Sequence, residues 1–211
     1  MGSRVSEIKR YQIRVEGIVQ GVGFRPFIYG LAIQSCYSGY VLNDVGGVLL
    51  EIQGQDIDIE NFCQCIRTKA PKASYITNIS YHEIDVICDD KEFIIQKSPQ
   101  GLTKETLISP DLAICEDCKR EIKDKNNRRY QYAFTNCTNC GPRFSIVQDI
   151  PYDRQNTTMK VFPMCKNCED EYTNPLDRRF HAQPNACDIC GPQYKLVADK
   201  VYIANESIKK A

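Results

Sequence analysis

Two groups of residues in this chain have the types and spacing to do chemistry. The first is Gly17-Ile18-Val19-Gln20-Gly21-Val22-Gly23-Phe24-Arg25, set between the alternating run Tyr11 to Val15 and the proline-led segment Pro26 to Leu31. Locally this reads as a strand, a glycine loop and a helix start. Gly21 and Gly23 let successive backbone amides turn inward with no Cβ in the way, and the helix start adds free amides of its own. The amides of Gln20, Gly21, Val22, Gly23 and Phe24, with the planar cation of Arg25, make a cradle for an anion of phosphate size. A tight glycine turn beside a surface arginine is the plainer alternative.

The second group is a set of cysteines. Cys115 and Cys118 are followed after 18 residues by Cys137 and Cys140, and Cys165, Cys168, Cys187 and Cys190 repeat that spacing 50 residues later. The register extends past the cysteines: Glu121 matches Glu171, Arg128-Arg129-Tyr130 matches Arg178-Arg179-Phe180, and Gly141-Pro142 matches Gly191-Pro192. Two copies of one small unit are present. Each supplies four thiols in two Cys-x-x-Cys knuckles, the number and type that a closed tetrahedral zinc site requires, so two structural zinc ions are expected. Redox chemistry, the competing use of such knuckles, lacks a thioredoxin-like setting here. Pairing within each repeat is the simplest ligand assignment, and an interleaved arrangement also fits the spacing.

Composition frames both groups. A chain of 211 residues exceeds the usual ~100 to 150 of one domain, and 42% hydrophobic content supports a modest core. With 27 basic and 27 acidic residues there is no net-charge signal for nucleic acid or for an acidic tail. Met1 to Lys9 is polar, no apolar run approaches the ~18 residues of a membrane span, and twelve cysteines fit a reducing compartment better as metal ligands than as disulfides. A cytoplasmic location is expected. Cys36, Cys63, Cys65 and Cys88 lack knuckle spacing and read as ordinary thiols. His181, within Arg178-Arg179-Phe180-His181-Ala182-Gln183-Pro184, reads as a structural hydrogen-bonder, since four cysteines already fill the nearby metal site. The basic run from Lys119 to Arg143 reads as a solvated face, with a contact patch for an acidic partner or nucleic acid as the alternative.

In chain order, residues 1–98 alternate between strand and helix character. After the cradle and its helix, Gly39 marks a turn, Tyr40 to Asn43 begins a strand, and Gly46-Gly47 makes a hairpin turn. A strand with Val48, Leu50 and Ile52 on one face then runs to Gly54. Ile59, Phe62, Cys63 and Ile66 have helical spacing, with Pro71 closing the helix. Tyr75 to Ile84 has strand composition, and Phe93 to Ile95 forms a short edge strand. The order βαββαβ is that of an α+β, ferredoxin-like fold with two helices on one face of an antiparallel sheet. This topology brings Asn43 toward the cradle, where an amide would orient a water attacking a bound phosphoryl group. Residues 99–108 read as a linker and 109–197 as the tandem metal module, with repeats at about 109–158 and 159–197. Residues 198–211 read as a tail or the start of a further domain.

Gly17 to Arg25, then Gly39 to Asn43 and Gly46-Gly47-Val48, resemble the acylphosphatase signature over roughly residues 1–98. The resemblance implies that Arg25 and Asn43 are the catalytic pair. That domain followed by Thr135-Asn136-Cys137-Thr138-Asn139-Cys140-Gly141-Pro142-Arg143-Phe144, Pro151-Tyr152-Asp153-Arg154 and Arg178 to Pro184 is similar to the amino-terminal part of the HypF carbamoyltransferase family of nickel-iron hydrogenase maturation. This implies carbamoyl phosphate as substrate, and a carbamoyl adenylate formed with ATP and Mg2+ by domains that lie downstream in the family. The carbamoyl group would then pass to the C-terminal cysteine of a HypE-type partner. A free-standing acylphosphatase with a zinc appendage and a zinc-ribbon nucleic-acid or protein-binding module are the alternatives. Because the cradle and Asn43 lie upstream of the cysteines, the metal module is expected to be purely structural and separable from the chemistry.

Overall fold

The computed structural model describes residues 7–98, 107, 109–197 and 200–203. Strand β1 (Ile8–Ile18) runs into the cradle and α1 (Phe24–Gln34). Next come β2 (Ser38–Asp44), β3 (Gly47–Gln55), α2 (Ile59–Lys69), β4 (Tyr75–Ile84) and the short β5 (Phe93–Ile95). The sheet order is β4-β1-β3-β2-β5; β5 runs parallel to β2 and every other pairing is antiparallel. This is the ferredoxin-like α+β arrangement with one added edge strand.

Strand periodicity explains the two faces. Ile13 and Val15 on β1, Val41 on β2 and Val48, Leu50 and Ile52 on β3 point to one side and are buried. They pack there with Phe24, Ile28, Leu31 and Ala32 of α1 and Phe62, Cys63 and Ile66 of α2. On the other face Arg10 binds Glu51 (Nε to Oε2, 3.0 Å), Gln53 and Asp90, so a buried arginine there is fully engaged. Asp58 caps α2 by accepting from the Asn61 amide at 3.0 Å, and the helix ends before Pro71.

Several boundaries differ from the sequence reading: β1 extends from Ile8 to Ile18, the hairpin turn is Val45-Gly46, and β3 runs on to Gln55. Helix α1 begins at Phe24, with Pro26 inside its first turn, because Gly23 takes a left-handed conformation (φ 77°) and reverses the chain two residues earlier. Gly39 is inside β2, where its backbone approaches Glu51 so closely that a Cβ would sit 2.1 Å from the Glu51 carbonyl.

Most of the expected linker, 99–106 and 108, lies outside the described residues, as do 198–199 and 204–211 of the expected tail. The second module opens with α3 (Glu116–Lys123), and α4 (Lys166–Thr173) follows at the same 50-residue offset as the cysteines. Short 3-10 turns connect these elements. The strands β6 (Lys195–Val197) and β7 (Val201–Ile203) form a small ribbon.

The two repeats hold one another reciprocally. Arg128 and Arg129 of the first bind Glu171 of the second (Arg128 Nη2 to Oε2, 2.6 Å), while Arg178 and Arg179 of the second bind Glu121 of the first (Arg178 Nη2 to Oε2, 2.5 Å). Arg129 Nε donates to the Ala186 carbonyl and Arg179 Nε to the Asn136 carbonyl, each at 3.0 Å. Burial acts to raise Glu171, but hydrogen bonds from Arg129 and the charges of Arg129, Arg179 and Arg128 outweigh it and hold the carboxyl at about 2. The basic run is thus only in part a solvated face: Lys119, Arg120, Lys123 and Lys125 are exposed, whereas Arg128 and the 1% exposed Arg129 are drawn inside the module.

Candidate active site and metal centres

The cradle is shaped by a bulge. Strand β1 slips register between Glu16 and Gly17, which lies at φ 117° with its backbone against Tyr75, and this turns the strand end toward the loop. Gln20 then anchors the loop from within. Its side-chain Nε2 donates to the carbonyls of Asp44 (2.6 Å) and Gly47 (2.7 Å), tying the cradle to the β2–β3 turn next to Asn43 at the end of β2. Gly21, Gly23, Phe24, Arg25 and Asn43 line a single small cavity, whereas Gln20 and Val22 are buried behind it. Arg25 and Asn43, distant in sequence, meet there. With its oxygen turned to the guanidinium the Asn43 amide accepts from Arg25 Nε and Nη2 at 3.3 Å each. That orientation is favoured, since the amide nitrogen would otherwise face two donors; it gives up a single 3.3 Å bond from Nδ2 to the Tyr152 carbonyl for two from the guanidinium.

The metal module is not remote from the cradle: the far wall of this cavity comes from it. Asn136, Cys137, Thr138, Gly141, Tyr152, His181, Ala182, Gln183 and Pro184 complete the lining. Asp153 Oδ1 binds Arg25 Nη2 at 2.8 Å, and the Tyr152 amide donates to Gln20 Oε1 at 2.9 Å. A Cβ on Gly21 would lie 2.6 Å from Pro142 and 2.8 Å from Tyr152, so glycine there serves both its left-handed backbone (φ 71°) and the approach of the second module. Farther along α1, Tyr29 meets Phe180 edge-on at 5.3 Å.

His181 belongs to this wall and not to a metal. It takes a left-handed backbone (φ 53°), as does Gln131 (φ 57°) at the equivalent place in the first repeat. Its ring packs on Tyr172 and Phe180. Burial first, then the Arg25 guanidinium, push its pKa down to about 4, against a smaller opposing effect of Asp153. At neutral pH it is an uncharged imidazole beside the cradle arginine.

The cavity is about 20 Å³. That holds roughly one water molecule, so a phosphate ester or anhydride enters only as Asp153, Tyr152 and their neighbours shift. On the other side of the Arg25–Asp153 pair lies an open cleft of about 460 Å³, bordered by the basic residues Lys97, Arg154 and Lys160. A larger cleft of about 680 Å³, near Tyr37, Gln53 and Phe93, is remote from the cradle.

The eight knuckle cysteines form two groups, Cys115, Cys118, Cys137 and Cys140, and Cys165, Cys168, Cys187 and Cys190. Pairing is therefore within each repeat. Sulfur separations of 3.5 to 3.8 Å in the first group and 3.6 to 3.8 Å in the second match the ~3.8 Å edge of a tetrahedron with metal–sulfur bonds of about 2.3 Å. Arg178 Nη1 donates to Cys118 Sγ at 3.0 Å and Arg128 Nη2 to Cys168 Sγ at 3.3 Å, so each cluster receives an arginine from the other repeat. Such donors offset the surplus negative charge of four thiolates on a divalent ion. Of the remaining cysteines, Cys63 is buried, its thiol pushed up to about 11 by that burial, and Cys36 and Cys88 are exposed.

Comparison with known proteins gives the same division. Residues 11–95 match the acylphosphatase family model, and a Thermotoga petrophila acylphosphatase is 42% identical over 77 residues, 36% of this chain and 84% of that protein. The chain belongs to the acylphosphatase family. To this acylphosphatase module it adds two segments, 114–147 and 164–197, that match the HypF finger. The combination is similar to the Methanocaldococcus jannaschii protein described as a probable carbamoyltransferase HypF, 48% identical over 148 residues, 70% of this chain and 19% of that one. A Rhizobium leguminosarum bv. viciae carbamoyltransferase HypF is 47% identical over 154 residues, 73% of this chain and 20% of that one. A crystal structure of full-length HypF in its phosphate- and nucleotide-bound form superposes with a TM-score of 0.83 at 46% identity, covering 97% of this chain and 27% of that one. The acylphosphatase module and HypF finger thus correspond to the amino-terminal region of HypF, and the chain spans about a fifth of the length of these curated relatives.

Among the described residues, no helix is long and apolar enough to cross a membrane.

Proposed function

We propose that the acylphosphatase module hydrolyses carbamoyl phosphate, and that it does so as the first step of a carbamoyl transfer. The observation that carries this reading is the meeting of Arg25 and Asn43, 3.3 Å apart, over the Gly21–Gly23 turn. The amides from Gln20 to Phe24 and the Arg25 guanidinium bind the phosphoryl oxygens. Asn43 holds a water for in-line attack on phosphorus. The P–O bond to the carbamoyl group breaks, phosphate takes the water oxygen, and carbamate leaves with the bonding pair. Carbamate is a weakly basic anion, so its departure requires no general acid.

In the longer HypF proteins the carbamate would be activated with ATP and Mg2+ by domains beyond this region, then passed to the C-terminal cysteine of a HypE-type partner. Zinc is the metal that best suits two closed four-thiolate sites, and its role here is structural. Thiolate ligation of this kind suits a reducing cytoplasm.

The test is hydrolysis of carbamoyl phosphate in 18O-labelled water. After subtraction of the enzyme-free background, one labelled oxygen should enter each phosphate released; unlabelled phosphate from the enzymatic reaction would show that the C–O bond breaks instead of the P–O bond, and the in-line reading would fall.

A further inference from the structure

We infer that Asn136 is the specificity residue of the site: its carboxamide reads the carbamoyl head of the substrate by a two-point amide pairing. The inference rests on the acylphosphatase reading above and deepens it.

Asn136 lines the cavity with Arg25, Asn43, Gly21 and Gly23, and it is 3% exposed. Both its Oδ1 and its Nδ2 lack a hydrogen-bond partner. Native folds rarely bury both ends of an amide unmet, and where they do, a ligand or water completes the group. The metal cluster does not need this amide. At the same register in the second repeat stands Ala186, itself buried, beside a four-cysteine group of the same shape, and the backbone carbonyls of Asn136 and Ala186 accept equivalent bonds from Arg179 and Arg129. What differs is that the first repeat's second knuckle faces the cradle, as the approach of Thr138 to Gly23 shows.

The chemistry of the missing partner follows. A free carboxamide offers one acceptor and a two-hydrogen donor, which complement a group presenting an N–H beside a carbonyl. Carbamoyl phosphate has that head. Acetyl phosphate replaces the amino group by methyl and would leave Oδ1 buried and unmet, the kind of mismatch that polar sites reject strongly.

The direct test uses the unaltered chain and two non-hydrolysable phosphonates, phosphonoacetamide and acetonylphosphonate, as inhibitors of its phosphate release or as ligands in calorimetry. The amide should bind at least about tenfold tighter than the ketone, one hydrogen bond's worth of discrimination. Equal affinity overturns the inference. Asn136→Leu, close in volume and without polar atoms, should lower the ratio of kcat/KM for carbamoyl over acetyl phosphate by a similar factor. Its metal content and melting temperature should stay at or above those of the parent, since no bond is removed. An unchanged ratio, with both substrates slowed together or neither, overturns the assignment. The two readings fail separately: no hydrolysis of either acyl phosphate by the parent chain refutes the enzymatic reading, whereas hydrolysis with no amide preference refutes only the role of Asn136.

Discussion

Arg25 of the acylphosphatase module is bound by Asp153 of the HypF finger at 2.8 Å, with side chains only 8% and 12% exposed. The cation that the cradle would offer to a phosphoryl group is thus already paired with a carboxylate from the other module. A dianion entering the cradle must displace that carboxylate or share the guanidinium with it.

Asp153→Asn should therefore bind inorganic phosphate more tightly, by roughly tenfold, since a neutral amide neither repels the dianion nor competes for the charge. Product inhibition of acyl phosphate hydrolysis by phosphate measures this. Unchanged or weaker inhibition would show that Asp153 supports the arginine without opposing the ligand.

The reciprocal arginines predict that the two metal clusters stand or fall together. Cys165→Ser removes a ligand of the second cluster, and its unfolding would withdraw Arg178 and Arg179 from Cys118, Glu121 and the Asn136 carbonyl of the first. Metal analysis of this variant should find well under one ion per chain. Retention of one full equivalent would show that the repeats are independent.

His181, held at about 4, makes stability depend on pH. Its ordinary value is about 6.5, so between ~6.5 and ~4 the unfolded chain takes up a proton that the folded chain refuses. Stability from this residue is complete above pH 6.5 and is lost as pH falls, by on the order of 1 to 2 kcal/mol between pH 6.5 and 5. His181→Gln places at this position the residue that the first repeat already carries in the same left-handed conformation. The variant should fold and should show a smaller loss of melting temperature from pH 6.5 to 5 than its parent. Parallel curves would contradict the assignment.

Much of this was legible in the sequence. The five strands and two helices of the first module follow from period-2 and period-3.6 patterns and from turn residues, with shifts of one to three residues at strand ends and further differences where Gly23 and Gly39 adopt backbone geometry that other residues avoid. Arg25 and Asn43 were readable because each sits in a local motif, and the topology brings those motifs together. The wall formed by Asn136, Thr138, Tyr152, Asp153 and His181 was not. No periodicity or spacing encodes how one module packs against another, nor that Arg128 and Arg129, in a basic run whose lysines stay exposed, are turned inward by Glu171. A faint signal did exist. At two of the matched positions where the repeats differ, Asn136 against Ala186 and His181 against Gln131, the first member of each pair faces the cradle.

The central claim is that Arg25 drives hydrolysis of an acyl phosphate. The measurement that bears on it most directly is initial-rate phosphate release from carbamoyl phosphate by the parent chain and by Arg25→Ala, with metal content checked in both. Removing one charge-assisted donor from a developing phosphoryl transition state costs ~3 kcal/mol, so the rate should fall by roughly a hundredfold or more with both metals retained. A rate within twofold of the parent, at equal metal content, would place the chemistry elsewhere and contradict the account.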